Sequence, residues 1–162
     1  MTGRAPEGPS SATAHLYLRE EQIRQSYESL MLGWRALNAG CEALLREYGL
    51  GAAHHRILFL VAVHPGITPG VLLGCLGITK QSLGRALGDL RERNFLIQSE
   101  GRHDRRKRPL HLTAQGQAIE RDLFKLIREA MTQAYREAGV TAVEGFRRVL
   151  VPLQIPTGEN AP

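Results

Sequence analysis

Apolar residues recur at steps of three and four along most of this chain, and this spacing predicts a mainly helical protein. Residues 16–48 carry the pattern over many turns, which indicates one long amphipathic helix that Gly49 ends. A shorter, nearly all-apolar helix follows and stops at Pro65 and Gly66. The next two helical segments begin with threonine N-caps, at Thr68 and at Thr79.

Two strand-like stretches, FLIQS at residues 95–99 and PLHLT at residues 109–113, interrupt the helical pattern and predict an antiparallel hairpin with a long loop. The helical pattern resumes over residues 113–139 and over residues 140–153. A short helix, a turn containing Gly77, a polar-faced helix and a hairpin, in that order, predict a winged helix-turn-helix. The expected fold class is therefore mainly α, a winged helix-turn-helix with an α/β wing and long N- and C-terminal dimerisation helices.

The composition along the chain predicts one domain with unstructured ends. Residues 1–14 are rich in Gly, Pro, Ser, Thr and Ala and are expected to form a disordered arm, and residues 154–162 a flexible tail. Residues 15–153 are expected to form a single domain. Within it, the winged helix-turn-helix spans residues 52–113. Residues 16–48 and 114–153 carry more apolar surface than a slim winged domain can cover, so these helices are expected to pair in a homodimer.

The net charge of the chain favours one class of binding partner. The chain of 162 residues has a net charge of +5 and a pI near 9.7, which favours an anionic partner such as nucleic acid or a membrane surface. The N-terminus lacks an apolar signal-peptide core, and the longest strongly apolar run, residues 57–63, is far too short to span a bilayer. We therefore expect a cytoplasmic protein that does not use a membrane.

The helix that begins at Thr79 has one apolar stripe and one polar face. The stripe consists of Leu83, Ala86, Leu87 and Leu90, and helical geometry places Gln81, Arg85, Gly88 and Glu92 opposite it. Glutamine and arginine hydrogen-bond base edges in a major groove, and side chains at a helix N-terminus can hold phosphates. We expect this helix to contact DNA through Thr79, Lys80, Gln81, Ser82 and Arg85. The alternative is an ordinary solvated helix face.

The hairpin loop concentrates positive charge around one aspartate, Asp104. Its basic side chains are Arg102, His103, Arg105, Arg106, Lys107 and Arg108. They would repel one another without an anion, so we expect a wing against the DNA backbone, with Arg106 inserted in the minor groove and braced by Asp104. Arg105, Lys107 and Arg108 would contact phosphate, and Arg102 is also expected to contact DNA. The alternatives are a solvated charged loop and a salt bridge that only shapes the hairpin.

These residues resemble the MarR family of bacterial transcription regulators. The sequence DRR at residues 104–106, followed by LHLT and Gly116, is similar to the family's wing signature, although Asn94 stands where the family often has glycine before the wing. The stretches YGLGAAHHRILF and LGITKQSL are more narrowly similar to the PetP-type subgroup. The resemblance implies an obligate homodimer with interleaved terminal helices and a winged helix-turn-helix on each side. Such a dimer requires a palindromic operator in double-stranded DNA.

Members of the family often respond to small aromatic or anionic ligands, or to oxidation of a cysteine. Candidate walls of a pocket for such an effector are Trp34, Tyr48, His55 and Phe59. Adjacent His54 and His55 point to different sides of a helix and so do not suit one metal ion. Cys41 and Cys75 are both expected to be buried small hydrophobic residues, which argues against thiol sensing.

Other function classes fit less well. The sequence has no GxSxG, P-loop, HExxH or DxD motif, so we expect neither an enzyme nor a cofactor. RNA binding is disfavoured because no exposed aromatic residues are available for stacking. The remaining alternative is a winged-helix protein-interaction module that does not bind DNA. The basic wing argues against it, because a surface that binds a protein needs no run of adjacent cations.

Overall fold

The computed structural model describes residues 18–99 and 108–154, and the chain divides into two compact units, residues 1–37 and residues 38–162. Helix α1, Glu20–Ala39, supplies the described part of the first unit and runs to the start of the second. None of its residues is buried. Its exposed large hydrophobic side chains are Ile23, Tyr27, Leu30, Met31, Leu32 and Trp34. Steps of three and four keep all of them except Leu32 on one stripe, as the sequence pattern predicts.

The predicted single helix over residues 16–48 is wrong, because the chain turns at Gly40. The amide of Cys41 donates to the carbonyl of Asn38 at 3.0 Å, three residues back instead of four. Helix α2 then spans Glu42–Glu47. Glycine disfavours a helix interior, and the turn brings Cys41 and Leu45 into the core of the second unit. Gly49, with φ of 63°, ends this segment as predicted.

Three helices form the centre of the second unit: α3 at Ala52–Val63, α4 at Pro69–Leu76 and α5 at Lys80–Glu92. Both predicted threonine caps are confirmed. The Thr68 hydroxyl accepts from the Val71 amide at 3.5 Å, and the Thr79 hydroxyl accepts from the Ser82 amide at 3.1 Å. Gly77 links α4 to α5 with φ of 59°, a left-handed conformation that glycine adopts without a steric penalty.

The predicted hairpin consists of β1 at Leu96–Gln98 and β2 at Leu110–Leu112, paired antiparallel with Leu96 opposite Leu112. Leu110 is also bonded on its other side. Its carbonyl accepts from the Gly66 amide at 2.9 Å, and its amide donates to the Ile67 carbonyl at 3.0 Å. The turn before α4 is therefore hydrogen-bonded to β2, a contact that the sequence pattern does not predict, although the described sheet itself has two strands.

Helix α6 spans Ala114–Ala138 and helix α7 spans Val140–Leu153, with Gly139 between them at φ of 80°. Helix α6 begins close to the hairpin. A Cβ atom added at Gly116 would overlap the Phe95 carbonyl oxygen, so only glycine fits there without a shift. None of the residues of α7 is buried. Its exposed apolar side chains are Val140, Phe146, Val149, Val151 and Leu153.

One hydrophobic core holds the second unit together, and helices α2 through α6 and both strands contribute side chains to it. Its fully enclosed side chains include Cys41, Ile57, Leu58, Val61, Leu72, Leu90, Leu96, Leu110 and Leu123. The architecture is the mainly α winged helix-turn-helix that the pattern predicts. No helix in residues 18–99 or 108–154 is long and apolar enough to cross a membrane.

Candidate nucleic-acid interface

Helix α5 presents a buried stripe and a polar face, as predicted. Leu83, Ala86, Leu87 and Leu90 are buried, whereas Lys80, Gln81, Ser82 and Arg85 are exposed on the other side. Gly84, between them, has open space around the position of a missing Cβ. The face therefore combines two side chains that can pair with base edges, a cation and a hydroxyl, and it lets another surface approach the helix backbone closely.

Thr79 organises the start of this face. Its hydroxyl oxygen accepts from the Ser82 amide, and its hydroxyl hydrogen is donated to Ser82 Oγ at 2.9 Å. The proton of the Ser82 hydroxyl is then directed away from Thr79 and available to an acceptor outside the protein. Thr79 is thus chiefly a cap, and Ser82 is the hydroxyl donor of the pair.

A depression of about 290 Å³ lies beside the polar face, and His54, Gln81, Ser82, Arg85 and Asp89 contribute to its lining. The His54 Nε2 atom lies 3.2 Å from Asp89 Oδ2, and the Gly51 amide donates to His54 Nδ1 at 3.0 Å. The start of helix α3 is thereby joined to the middle of α5. The sequence reasoning does not predict this pair, since 35 residues separate its members.

The end of α5 is held by a second contact. Arg93 Nη1 donates to the Tyr48 carbonyl at 3.0 Å, and the Tyr48 and Phe95 rings meet edge to face with centroids 6.0 Å apart. Asn94 then turns the chain toward the wing with φ of 59°. Glycine is preferred at such a left-handed position and asparagine is tolerated there, which accounts for an asparagine where glycine is common in similar chains.

The base of the wing is tied to α5 through one glutamine. Arg91 Nη1 donates to Gln98 Oε1 at 3.1 Å, and Gln98 Nε2 donates to the Arg108 carbonyl at 3.4 Å. The Arg108 side chain is exposed. The other predicted wing residues, Arg102, Asp104, Arg105, Arg106 and Lys107, lie outside the described residues.

The predicted pocket walls have different surroundings in the second unit. Tyr48 packs on Phe95, and Phe59 stacks on Phe124 with ring centroids 5.9 Å apart. His55 is 8% exposed, and its Nδ1 atom has no hydrogen-bond partner among the described residues. Burial, followed by the neighbouring charge of Arg56, lowers the pKa of His55. The fourth candidate, Trp34, belongs to the first unit and is 59% exposed.

The two cysteines differ. Cys41 is fully buried, as expected, and burial raises the pKa of its thiol. Cys75 is exposed, so the expectation that it is buried is wrong. Helix α4 is apolar on every side, and its two core-facing positions are taken by Leu72 and Leu76. Among the described residues, no group of three or more His, Cys, Asp or Glu side chains could hold a metal ion.

Comparison with known proteins decides the family. A sequence model of the MarR family matches residues 48–107. The HTH-type transcriptional regulator PetP of Rhodobacter capsulatus is 38% identical over 152 residues, which cover 94% of this chain and 92% of that protein. The chain belongs to the MarR family. The MarR family comprises transcription regulators and is not a class of enzymes, and the narrower similarity to PetP is confirmed by this relative.

Solved structures of MarR-family proteins share the fold. A MarR-family regulator from Silicibacter pomeroyi gives a TM-score of 0.69 at 20% identity, covering 82% of this chain and 88% of that one. A MarR-family protein from Mycobacterium tuberculosis in complex with salicylic acid gives a TM-score of 0.56 at 22% identity, covering 77% of this chain and 93% of that one. The MarR winged helix-turn-helix predicted from the sequence is therefore confirmed.

Proposed function

We propose that this MarR-family regulator binds a palindromic operator in double-stranded DNA as a homodimer, and that a small aromatic or anionic ligand modulates the binding. The observation that carries the proposal is the polar face of α5. There the exposed Gln81 and Arg85 lie opposite a stripe of buried leucines. A helix held in this way can enter a major groove without exposing its apolar side.

The side chains of α5 divide into two roles. Gln81 and Arg85 pair with base edges, because amides and guanidinium groups offer the bidentate donors and acceptors that bases recognise. Lys80 supplies charge to a phosphate, and Ser82 donates its outward hydroxyl proton to another. Thr79 fixes the hydroxyl orientation of Ser82 by accepting from its amide and donating to its Oγ.

The wing adds contacts with the minor groove and the phosphates. We assign the minor-groove contact to Arg106, with Asp104 as the carboxylate that braces its guanidinium through charge-assisted hydrogen bonds. Arg102, Arg105, Lys107 and Arg108 supply phosphate contacts. The exposed Arg108 at the foot of the hairpin supports this assignment. Each phosphate contact that is lost lowers the slope of log K against log salt by about 0.9.

The homodimer follows from the apolar surface of the terminal helices. Helices α1 and α7 each bury no residue of their own, and each carries a stripe of exposed large hydrophobic side chains. A second copy of the chain would cover such stripes with surfaces of the same kind. Two-fold pairing also sets two α5 helices about one DNA turn apart, roughly 34 Å, which makes the operator palindromic.

Ligand modulation is proposed around His55. A buried imidazole nitrogen without a partner is costly, and a ligand that supplies a hydrogen bond would remove this cost. The M. tuberculosis relative in complex with salicylic acid supports a phenolic or carboxylate ligand. Tyr48 and Phe59, which belong to the same unit as His55, remain the proposed aromatic walls. The test of this part is whether aromatic acids release operator DNA from the wild-type protein and fail to release it from His55→Ala.

The DNA-binding proposal is tested by selecting sites from a random duplex library and measuring affinity on the selected site and on random DNA. Arg85→Ala should weaken binding to the selected site by about 1–3 kcal/mol and leave binding to random DNA nearly unchanged. Arg128→Ala, which removes an exposed arginine from α6, is the matched control. Equal losses on both DNAs would exclude base reading by Arg85, and failure to enrich any palindrome would exclude the operator model.

A further inference from the structure

Arg85 and Asp89 in helix α5, and Arg93 at its C-cap, follow one another at intervals of four. Residues four apart lie one above the other on a helix, so the carboxylate of Asp89 is within reach of an arginine on either side. The structure forms neither of these pairs. Among the described residues, Asp89 is hydrogen-bonded to His54, and Arg93 instead donates to the Tyr48 carbonyl.

The hydrogen bonds of His54 fix the direction of its contact with Asp89. Because the Gly51 amide donates to Nδ1, that nitrogen carries no proton in the neutral ring, and Nε2 carries it. Nε2 therefore donates to the Asp89 carboxylate. The His54 side chain is 15% exposed and the Asp89 side chain is 42% exposed, so the bond is partly shielded from water at its histidine end.

We propose that His54 is a positioning residue for DNA recognition, which holds the carboxylate of Asp89 and thereby keeps the Arg85 guanidinium available to a base edge. Arg85 and Asp89 line the same depression, so an Asp89 carboxylate released from His54 would have Arg85 as its nearest helical neighbour on that side. An arginine paired in this way must break the pair before it can read a base. The inference rests on the proposed role of Arg85 in base reading.

The test compares three variants with the wild type, using the ratio of affinities for the selected site and for random DNA. His54→Ala releases Asp89 and should lower this ratio by about 1.4- to 2.3-fold for each protomer, hence about two- to fivefold on a site that two protomers occupy. Asp89→Asn keeps an acceptor for His54 but removes the charge, so its ratio should match the wild type. His54→Ala combined with Asp89→Asn should restore the wild-type ratio, because no carboxylate remains to attract Arg85.

A purely structural role for His54 gives the opposite pattern. If His54 only anchored α5, the affinity ratio of the double variant would be as low as that of His54→Ala or lower, and that result would overturn the proposal. Thermal midpoints of all variants are measured alongside the affinities, and His64→Ala, at the other end of α3, controls for the loss of a histidine. If Arg85→Ala does not lower the ratio in the wild-type background, the proposed base reading itself fails, which is a separate outcome.

A measurement on the free protein tests the same idea without DNA. Nitrogen-15 NMR of the Arg85 Nε–H group should show a shift and slowed exchange in His54→Ala, as expected for a guanidinium paired with a carboxylate. The double variant should return both properties to their wild-type values. An Arg85 signal that is identical in the wild type and His54→Ala would overturn the proposal even if the DNA affinities changed.

Discussion

Thr113 Oγ1 donates a hydrogen bond of 2.6 Å to the carbonyl oxygen of Asn94, which joins the cap of helix α6 to the turn that follows helix α5. The same hydroxyl oxygen accepts from the Gly116 amide at 3.0 Å. Thr113 therefore caps the start of α6 and also binds the turn that follows α5. This double role gives a physical reason for the threonine and glycine in the wing signature.

Asn94 offers the first prediction, because its φ of 59° is costly for most L-residues. Asn94→Ala should lower the free energy of unfolding by about 1 kcal/mol, whereas Asn94→Gly should be neutral or slightly stabilising. Urea unfolding measures both. Glu92→Ala, an exposed helical position nearby, is the control, and an equal loss from Ala and Gly at position 94 would contradict the conformational argument.

Gly116 and Gly84 form a matched pair of helical glycines for the second prediction. Gly116→Ala places a methyl group on the Phe95 carbonyl oxygen and should destabilise the protein by about 1–3 kcal/mol. Gly84→Ala meets nothing within 4 Å and should stabilise helix α5 by about 0.5–1 kcal/mol. Thermal unfolding distinguishes the two. If DNA approaches α5 closely, as proposed, Gly84→Ala should weaken operator binding despite its added stability, and unchanged affinity would argue against that approach.

The cysteines give the third prediction, since one is buried and the other exposed. In the native protein, a thiol reagent should label Cys75 rapidly and Cys41 only after unfolding, because burial shields Cys41 and raises the pKa of its thiol. Mass spectrometry after timed labelling measures this. Cys75→Ser should abolish the fast phase. Rapid native labelling of Cys41 would show that the core opens more often than its packing indicates.

The fourth prediction concerns pH. Burial lowers the pKa of His55, so the unfolded chain binds a proton near pH 6.5 while the folded chain resists it. The contribution of neutral His55 to the free energy of unfolding is therefore fully present above pH 6.5. It is lost as the pH drops through that value toward the lower pKa of His55 in the folded protein. For one titrating group, the free energy of unfolding cannot change by more than about 1.4 kcal/mol per pH unit.

His55→Leu should flatten the stability profile between about pH 5 and 7 relative to the wild type, and chemical denaturation at several pH values measures it. Glu120 contributes with the opposite sign. Burial raises the pKa of Glu120, so the contribution of its neutral carboxyl group to the free energy of unfolding is lost as the pH rises above about 4.5. Because both proteins share Glu120, the difference between their profiles isolates His55. Parallel profiles would mean that His55 is not the titrating group.

The sequence predicted those features that depend on neighbours along the chain. Thr68 and Thr79 each precede a helix and cap it through an amide three residues on, and the stripe from Leu83 to Leu90 follows from helical spacing alone. The all-apolar sequence of α4 has no such contrast between its faces. Periodicity could not decide the exposure of Cys75 for this reason.

The missed features depend on contacts between distant segments. The break at Gly40 is set by the burial of Cys41 against a core that forms far along the chain, where Cys41 Sγ lies 3.7 Å from the Leu123 carbonyl. The contact of His54 with Asp89 requires α3 and α5 to pack first. The backbone hydrogen bonds that join Gly66 and Ile67 to Leu110 likewise form only once β2 lies beside the turn before α4.

The hairpin is fixed at its foot, where the Ser99 amide donates to the Pro109 carbonyl at 3.0 Å and Leu110 is bonded to Gly66 and Ile67. The residues at this foot are therefore held by their contacts with the body of the domain. Under the proposed function, this arrangement separates two contributions to DNA recognition. The sequence between Ser99 and Pro109 can change in length and charge while the helices keep their packing, so that the wing would evolve independently of the side chains on α5.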